Sequence, residues 1–179
     1  MIARLYVWPR KESRVLACYL LDSELSSAEV RRAGEVLTNP LLEKFSVNKI
    51  PLSRNISYIL EIGYLPGVTD NLGHSAEESI RDALGLSEDA RLKIYSSKVF
   101  LIYGKAGAAD VKKFADPLYN PLIERALILS RAELERKGGL PLEAPEVLLK
   151  KRTPVIKVSL NIPDEDLIRL GTEGIRKSF

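Results

Sequence analysis

A thiol beside an imidazole is the first pair of side chains to look for, because the imidazole can take the thiol proton and create a nucleophile. The sequence has one cysteine, Cys18, and one histidine, His74. Cys18 lies inside the apolar run 15–21, which favours a buried thiol with a raised pKa. His74 lies just before a predicted helix start, where exposure is expected. The sequence therefore predicts that neither residue is catalytic.

Metal and phosphate sites need patterns that this sequence does not have. A zinc-type cluster needs several cysteines or histidines, and the chain has one of each. Gly67, Gly73 and Gly85 lack the spacing and the following lysine of a phosphate-binding loop. The acidic runs 77–78 and 164–166 fall at predicted helix starts, where carboxylates stabilise the helix dipole. We predict no catalytic, cofactor-binding or metal-binding residue in this chain.

The bulk composition is that of a folded chain without a strong electrostatic signature. Its 179 residues are 45% hydrophobic, and the formal net charge is +3, with basic and acidic residues interleaved. This balance indicates neither a nucleic-acid-binding nor a membrane-binding surface. No basic-then-apolar leader opens the sequence, and no apolar run approaches the length of a membrane span. We expect a soluble, cytoplasmic protein.

The elements that position these residues form an internal repeat. Apolar residues match apolar residues and charges match like charges, and two of the matches share an offset of 81 residues without a gap. The matching segments are 28–32 with 109–113, 37–44 with 118–125, 3–5 with 90–92, and 15–19 with 99–103. The repeat predicts two related units.

Each unit has the pattern strand, turn, strand, helix and short apolar segment. Ser96 and Ser97 are typical of a tight turn between two strands. Ser26 and Glu29 have the spacing of a capping box at a helix start. The predicted buried helix faces are Val30, Ala33 and Leu37 in the first unit and Val111, Phe114 and Leu118 in the second.

An Asn-Pro pair ends the helix in both units. Asn39 precedes Pro40 and Asn120 precedes Pro121, and a proline disfavours helical geometry in the residue before it. Asparagine is a good N-cap and proline is tolerated at the first helical position, so a new short turn should follow. Pro117 lies within the second helix and should kink or shorten it.

The second unit has an additional strand and helix at its front. Residues 56–64 alternate as a strand, residues 66–71 form a loop, and 75–78 is a second capping box before a helix that Gly85 ends in left-handed geometry. This order is ferredoxin-like. We expect an α+β fold of two antiparallel sheets packed pseudo-symmetrically, with helices on one face of each.

The expected domain organisation follows the repeat. Residues 1–50 are an abridged unit that lacks its opening strand and helix, and 51–130 are a complete unit. Residues 131–179 hold a short helix, a Gly- and Pro-containing linker, and the start of a next domain near Pro163.

Two motifs in the second unit resemble PurS, the small subunit of bacterial formylglycinamidine ribonucleotide (FGAM) synthase. The first runs from Pro66 and Gly67 through Asp70 and Gly73 into an amphipathic helix ending at Leu84-Gly85. The second, residues 118–124, is similar to that family's helix end around Asn120-Pro121. The resemblance covers residues 56–127 as a whole unit and 3–47 as a partial one. Residues 158–167 are similar to the entry of the synthase domain.

The resemblance implies that the chain is the N-terminal, tandem PurS-like domain of a fused FGAM synthase. Such an enzyme makes FGAM from formylglycinamide ribonucleotide, glutamine and ATP, with ATP and Mg²⁺ held by the synthase part. The PurS-like part would bridge that PurL-like synthase and a PurQ-like glutaminase so that ammonia passes between them. The implied interface residues are Asn39, Pro40, Pro66, Gly67, Asp70, Gly73, Asn120 and Pro121. Homodimer formation and fusion to the catalytic part stay open.

Two other functions remain open at this point. Tandem ferredoxin-like units of the amino-acid-sensing (ACT-like) kind bind small metabolites, and the loop 66–73 would then hold the ligand. An RNA-binding ferredoxin-like domain would need exposed aromatics such as Tyr95 and Tyr103 beside basic residues. The nearly neutral charge balance argues against the RNA alternative.

Overall fold

A computed structural model describes residues 1–11, 13–146 and 162–173. The chain divides into two compact parts, a larger part, Met1–Val147, and a smaller part, Leu148–Phe179. The strands of the larger part are β1 (Ile2–Pro9), β2 (Val15–Ser23), β3 (Glu43–Val47), β4 (Ile56–Tyr64), β5 (Leu92–Tyr103) and β6 (Glu124–Ser130). Its helices are α1 (Ser27–Val36), α2 (Asn71–Leu84), α3 (Ala108–Ala115) and α4 (Arg131–Lys137).

The smaller part, Leu148–Phe179, contains the predicted helix near Pro163. This helix, α5, spans Asp164–Glu173 and has three acidic residues in its first turn. The apolar segment expected to precede it, residues 158–161, lies outside the described residues. None of the helices in the described ranges has the length and apolar character needed to cross a membrane.

All six strands belong to one antiparallel sheet in the order β3-β1-β2-β5-β4-β6. The predicted α+β class with an antiparallel sheet and helices is therefore confirmed. The expectation of two packed sheets is wrong, because β2 and β5 pair edge to edge from Val15↔Phe100 to Ser23↔Leu92. This seam closes two strand edges that would otherwise expose unpaired backbone groups.

Strand β5 runs without a break through Ser96 and Ser97, so the predicted turn at these residues is wrong. Both serines have side-chain carboxylates as hydrogen-bond acceptors, one at the start of α2 and one in β4. The backbone N–H and the hydroxyl of Ser96 donate to the Asp70 carboxylate, and the Ser97 hydroxyl donates to Glu61. Because the structure supplies these acceptors, two residues typical of turns fit a strand.

The two faces of the sheet have separate cores. Residues such as Leu5, Leu21 and Leu60 pack beneath α1, α2 and α3 on one face. The opposite face buries Cys18, Val99 and their neighbours under the β3–β4 connection, α4 and Leu140. Residues 131–137 form α4, where a short helix was expected, and Leu134 and Leu140 pack on this second face.

The helix ends follow local chemistry. Ser26 and Glu29 form the predicted capping box of α1. Gly85 ends α2 at φ +64°, as predicted. The capping box predicted at 75–78 is wrong, because the N-cap of α2 is Asp70, five residues before Ser75. Helix α3 ends at Ala115 and gives way to a 3-10 turn that contains Pro117.

The strand registers match between the two halves of the sheet. We call β3, β1, β2 and α1 the first half, and β5, β4, β6, α2 and α3 the second half. Leu5 pairs with Val47 in the first half, and Leu60 pairs with Ile128 in the second. Tyr6 pairs with Cys18, and Glu61 pairs with Val99. Each residue of β2 and β3 thus corresponds to the residue 81 positions later, and β1 corresponds to β4. The predicted matches of 15–19 with 99–103 and of 3–5 with 90–92 are therefore wrong, because the registers place 15–19 with 96–100 and β1 with β4.

Candidate functional site

The two Asn-Pro turns have the same internal geometry. Asn39 Oδ1 accepts from the Leu41 backbone N–H at 3.0 Å, and the Asn39 N–H donates to Glu43 Oε2 at 2.9 Å. In the second turn, Asn120 Oδ1 accepts from the Leu122 N–H at 3.1 Å, and the Asn120 N–H donates to Glu124 at 2.8 Å. The predicted residues Asn39 and Asn120 therefore shape the turns through their own side chains.

Each turn presents two apolar side chains to solvent. Relative exposure is 82% for Leu41, 66% for Leu42, 83% for Leu122 and 42% for Ile123. Surface leucines are ordinary when scattered singly, but an exposed pair at the same place in both halves suggests a docking point. We call residues 39–43 and 120–124 the twin turns.

The twin turns lie at diagonally opposite corners of the sheet. The first turn enters β3 and the second enters β6, and these are the two edge strands. Five inter-strand spacings separate the edges, which corresponds to about 24 Å. Such a separation allows the domain to contact two different neighbours at once.

The Pro66-Gly67 loop lies beside the second turn. The Leu65 backbone N–H, at the end of β4, donates to the Ile123 carbonyl at 2.9 Å. At the other corner, the Arg10 N–H donates to the Leu42 carbonyl at 2.7 Å. The structure thus brings Pro66 and Gly67 close to the turn that contains Asn120 and Pro121. The Asn39-Pro40 turn is at the other corner.

Asp70 and Gly73 have structural roles. The Asp70 carboxylate caps α2 through the Gly73 N–H at 2.7 Å and accepts from the Ser96 hydroxyl at 2.7 Å. It therefore ties the start of α2 to the centre of β5. A Cβ atom on Gly73 would lie 2.5 Å from the Ile94 carbonyl oxygen, so only glycine allows this close approach.

A cavity of about 440 Å³ opens beside this loop. Gly67 and Asp70 line one side, and Lys93, Tyr95 and Glu146 line another. Glu146 accepts from the Tyr95 hydroxyl at 3.1 Å and lies 3.5 Å from the Lys93 ammonium. Burial and the hydrogen bond to Glu146 raise the pKa of Tyr95 to about 12. The phenol therefore stays protonated and remains a donor at neutral pH.

A buried ion pair lies on the face of the sheet opposite α1, α2 and α3. Arg4 Nη1 lies 2.5 Å from Glu61 Oε1, and both side chains are almost fully buried. The guanidinium also donates to the Pro141 carbonyl and to Cys18 Sγ. Burial acts to lower the pKa of Arg4, but the charge and hydrogen bond of Glu61 together with interactions with Cys18 and Tyr6 raise it above its usual value. Periodicity and motifs do not predict this pair, although a charge between the apolar residues Leu60 and Ile62 is a signal for it.

Cys18 and His74 lie in different environments. Burial raises the pKa of the Cys18 thiol, the state that the apolar run predicted. His74 is exposed in α2, where Nε2 lies 3.5 Å from Glu78. Over the ranges that the structure describes, no three His, Cys, Asp or Glu side chains cluster as metal ligands. No protein-family model matches the sequence, and no curated protein matches it at a significant level.

Proposed function

We propose that this chain is the tandem PurS-like scaffold domain of a cytoplasmic FGAM synthase. One observation carries the proposal. The family-like motif Asn-Pro-Leu-Ile-Glu and its counterpart Asn-Pro-Leu-Leu-Glu form exposed apolar turns of the same geometry at opposite corners of one sheet. A bridge between two catalytic units needs two such separated contacts.

The matching registers support two related units. In this interpretation β1 is the opening strand of the first unit, since it corresponds to β4 in its pairing with the neighbouring strands. The first unit then lacks only the helix that corresponds to α2. Two such units side by side would stand in for a dimer of single units.

The function of the domain is positional. The glutaminase releases ammonia and the synthase consumes it, with ATP and Mg²⁺ belonging to the synthase. One twin turn would contact each partner. Holding the two sites in register raises the effective concentration of ammonia at the synthase without chemistry in the bridge.

The twin turns give a direct test in the whole synthase with its glutaminase. The variants are Leu41→Asp/Leu42→Asp and Leu122→Asp/Ile123→Asp. Each should lower the glutamine-dependent rate of FGAM formation by about tenfold, because a charge at an apolar contact removes an anchor. The ammonia-dependent rate should change less than about twofold, because free ammonia needs no coupling between sites.

Leu72→Asp is the matched control, since Leu72 is an exposed leucine in α2 outside the twin turns. It should leave both rates unchanged. Equal loss of the glutamine-dependent and ammonia-dependent rates in the turn variants would contradict a coupling function. Normal rates in both turn variants would contradict docking through these turns.

The cavity beside Asp70 supports a second candidate function, an ACT-like metabolite sensor. Lys93 and Glu146 would bind the carboxylate and the ammonium of a free amino acid. Calorimetry with L-glutamine tests this alternative. Saturable binding that Lys93→Ala removes would favour the sensor, and absence of heat at millimolar glutamine would exclude glutamine as its ligand.

A further inference from the structure

An open groove lies on the helix face between α3 and strands β2 and β5. Its volume is about 420 Å³, and Val15, Phe100 and Phe114 are among its lining residues. Val15 is 39% exposed and Phe114 is 49% exposed. Phe100 and Phe114 meet edge to face at 6.4 Å between ring centroids, and both line the groove.

The groove corresponds residue by residue to the place where α2 packs in the same chain. Helix α2 contributes Ala76 and Ile80 to the core on the helix face. Five residues of that core are Tyr19, Leu21, Leu25, Val30 and Ala33. Their counterparts 81 positions later are Phe100, Ile102, Ala106, Val111 and Phe114, and all five line the groove.

The connection between β1 and β2 is too short to fill this place with a helix of the length of α2. Only residues 10–14 connect those strands, whereas α2, between β4 and β5, has 14 residues. The surface is therefore shaped for a helix, and the connection beside it is too short to supply one.

The charges beside the groove indicate the flank of its occupant. Arg14 lines the groove, and Lys98 is exposed two residues before Phe100, on the same face of β5. Within the described ranges neither cation takes part in an ion pair. The one lining carboxylate, Asp110, accepts from the Gly107 N–H at the start of α3. An acidic flank would therefore complement the groove.

We propose that this groove binds one amphipathic α-helix of a partner protein, with small and aliphatic residues at i and i+4 and an acidic flank. The proposal depends on the strand registers and the groove residues, and it is independent of the FGAM synthase assignment. Helix-in-groove recognition of this kind uses an apolar stripe for affinity and flanking charges for orientation.

A peptide with the sequence of residues 70–86 is a suitable probe, because it contains Ala76 and Ile80 and has four carboxylates against one guanidinium. Fluorescence anisotropy of this labelled, helix-stapled peptide with the full chain should show saturable binding with a Kd below about 100 µM. Phe114→Glu should weaken binding at least tenfold while circular dichroism and melting temperature stay unchanged. Leu72→Glu, an apolar-to-acid change at another exposed helix position, should leave the Kd unchanged.

A charge exchange adds a second test that does not depend on tolerance of Phe114→Glu. Arg14→Glu should weaken the acidic peptide severalfold, and a peptide carrying Glu77→Lys and Glu78→Lys should recover that affinity. Three outcomes would overturn the proposal: no binding at about 1 mM peptide, binding that Phe114→Glu leaves intact, or self-association of the chain that Phe114→Glu abolishes. The last outcome would assign the groove to a second copy of this chain.

Discussion

The ion pair between Arg4 and Glu61 places two full charges in the core on the second face of the sheet, beside Cys18. Taking two ions out of water costs several kcal/mol each, and the attraction between them repays that cost only with good geometry and further hydrogen bonds. Arg4 has the Pro141 carbonyl, and Glu61 has the Ser97 hydroxyl. Glu61 Oε2 has no partner among the described residues. We therefore expect the pair to specify that β1 and β4 lie in one sheet, more than to add net stability to the fold.

Truncating one member of the pair should lower the free energy of unfolding, whereas replacing both with apolar side chains should change it much less. Glu61→Ala should lower the free energy of unfolding by about 3–5 kcal/mol, because it leaves the Arg4 guanidinium buried without its counter-charge. Arg4→Met/Glu61→Leu should recover most of that loss. Urea unfolding followed by circular dichroism measures both. Equal losses in the single and double variants would show that packing, rather than charge, decides the effect.

At the scale of elements, Gly34 lets α1 lie close against the edge strand β3. A Cβ atom on Gly34 would lie 2.3 Å from the Phe45 ring. Alanine in a helix is more favourable than glycine by roughly 0.5–1 kcal/mol, whereas forcing an aromatic ring out of a packed site costs roughly 1–3 kcal/mol. The glycine therefore sets how closely α1 approaches the edge strand.

Gly34→Ala should destabilise the chain by about 1–2 kcal/mol, because displacement of the Phe45 ring outweighs the gain in helix propensity. Gly34→Ala/Phe45→Leu should be less destabilised than the sum of the two single variants, since the smaller side chain removes the clash. A double-variant cycle in urea measures this coupling. A stabilising Gly34→Ala change would mean that the ring moves aside freely.

Local chemistry predicted several elements well. The capping box of α1, the left-handed Gly85 and the shortening of α3 near Pro117 depend on neighbouring residues alone, and each is present. The α3 face was predicted less well, because Val111 is buried but Phe114 and Leu118 are half exposed. Helical periodicity marks an apolar face, but it does not reveal whether another element covers that face.

The single sheet could not be predicted, because the β2–β5 seam is made by backbone hydrogen bonds that any strand edge can form. The bulge in β4 is a similar case. It shifts the register between Ile56 and Tyr58, so Ile56 packs on the face opposite Leu60, against the simple alternation. Of the predicted interface residues, Asp70 and Gly73 proved to shape the fold, and their role depended on contacts with β5.

At the scale of the whole molecule, the two halves of the sheet should fold only together. Cutting the chain after Arg54, in the exposed β3–β4 connection, separates β2 from β5 and Arg4 from Glu61. We expect fragments 1–54 and 55–179 to be largely unfolded alone and to recover the native circular dichroism spectrum when mixed. A cooperative melting transition in the isolated 1–54 fragment would contradict this expectation.

The Arg4–Glu61 pair also determines which halves of the sheet can pair with each other. By the strand registers, the position of Glu61 corresponds to Tyr6 and that of Arg4 corresponds to Ile59. A first half paired with a copy of itself would thus bury Arg4 opposite Tyr6, and a second half would bury Glu61 opposite Ile59. Each half is therefore complementary to a partner unlike itself. A break in the connecting segment should leave two halves that assemble with each other and not with their own copies, because only the mixed pair gives each buried charge its counter-charge.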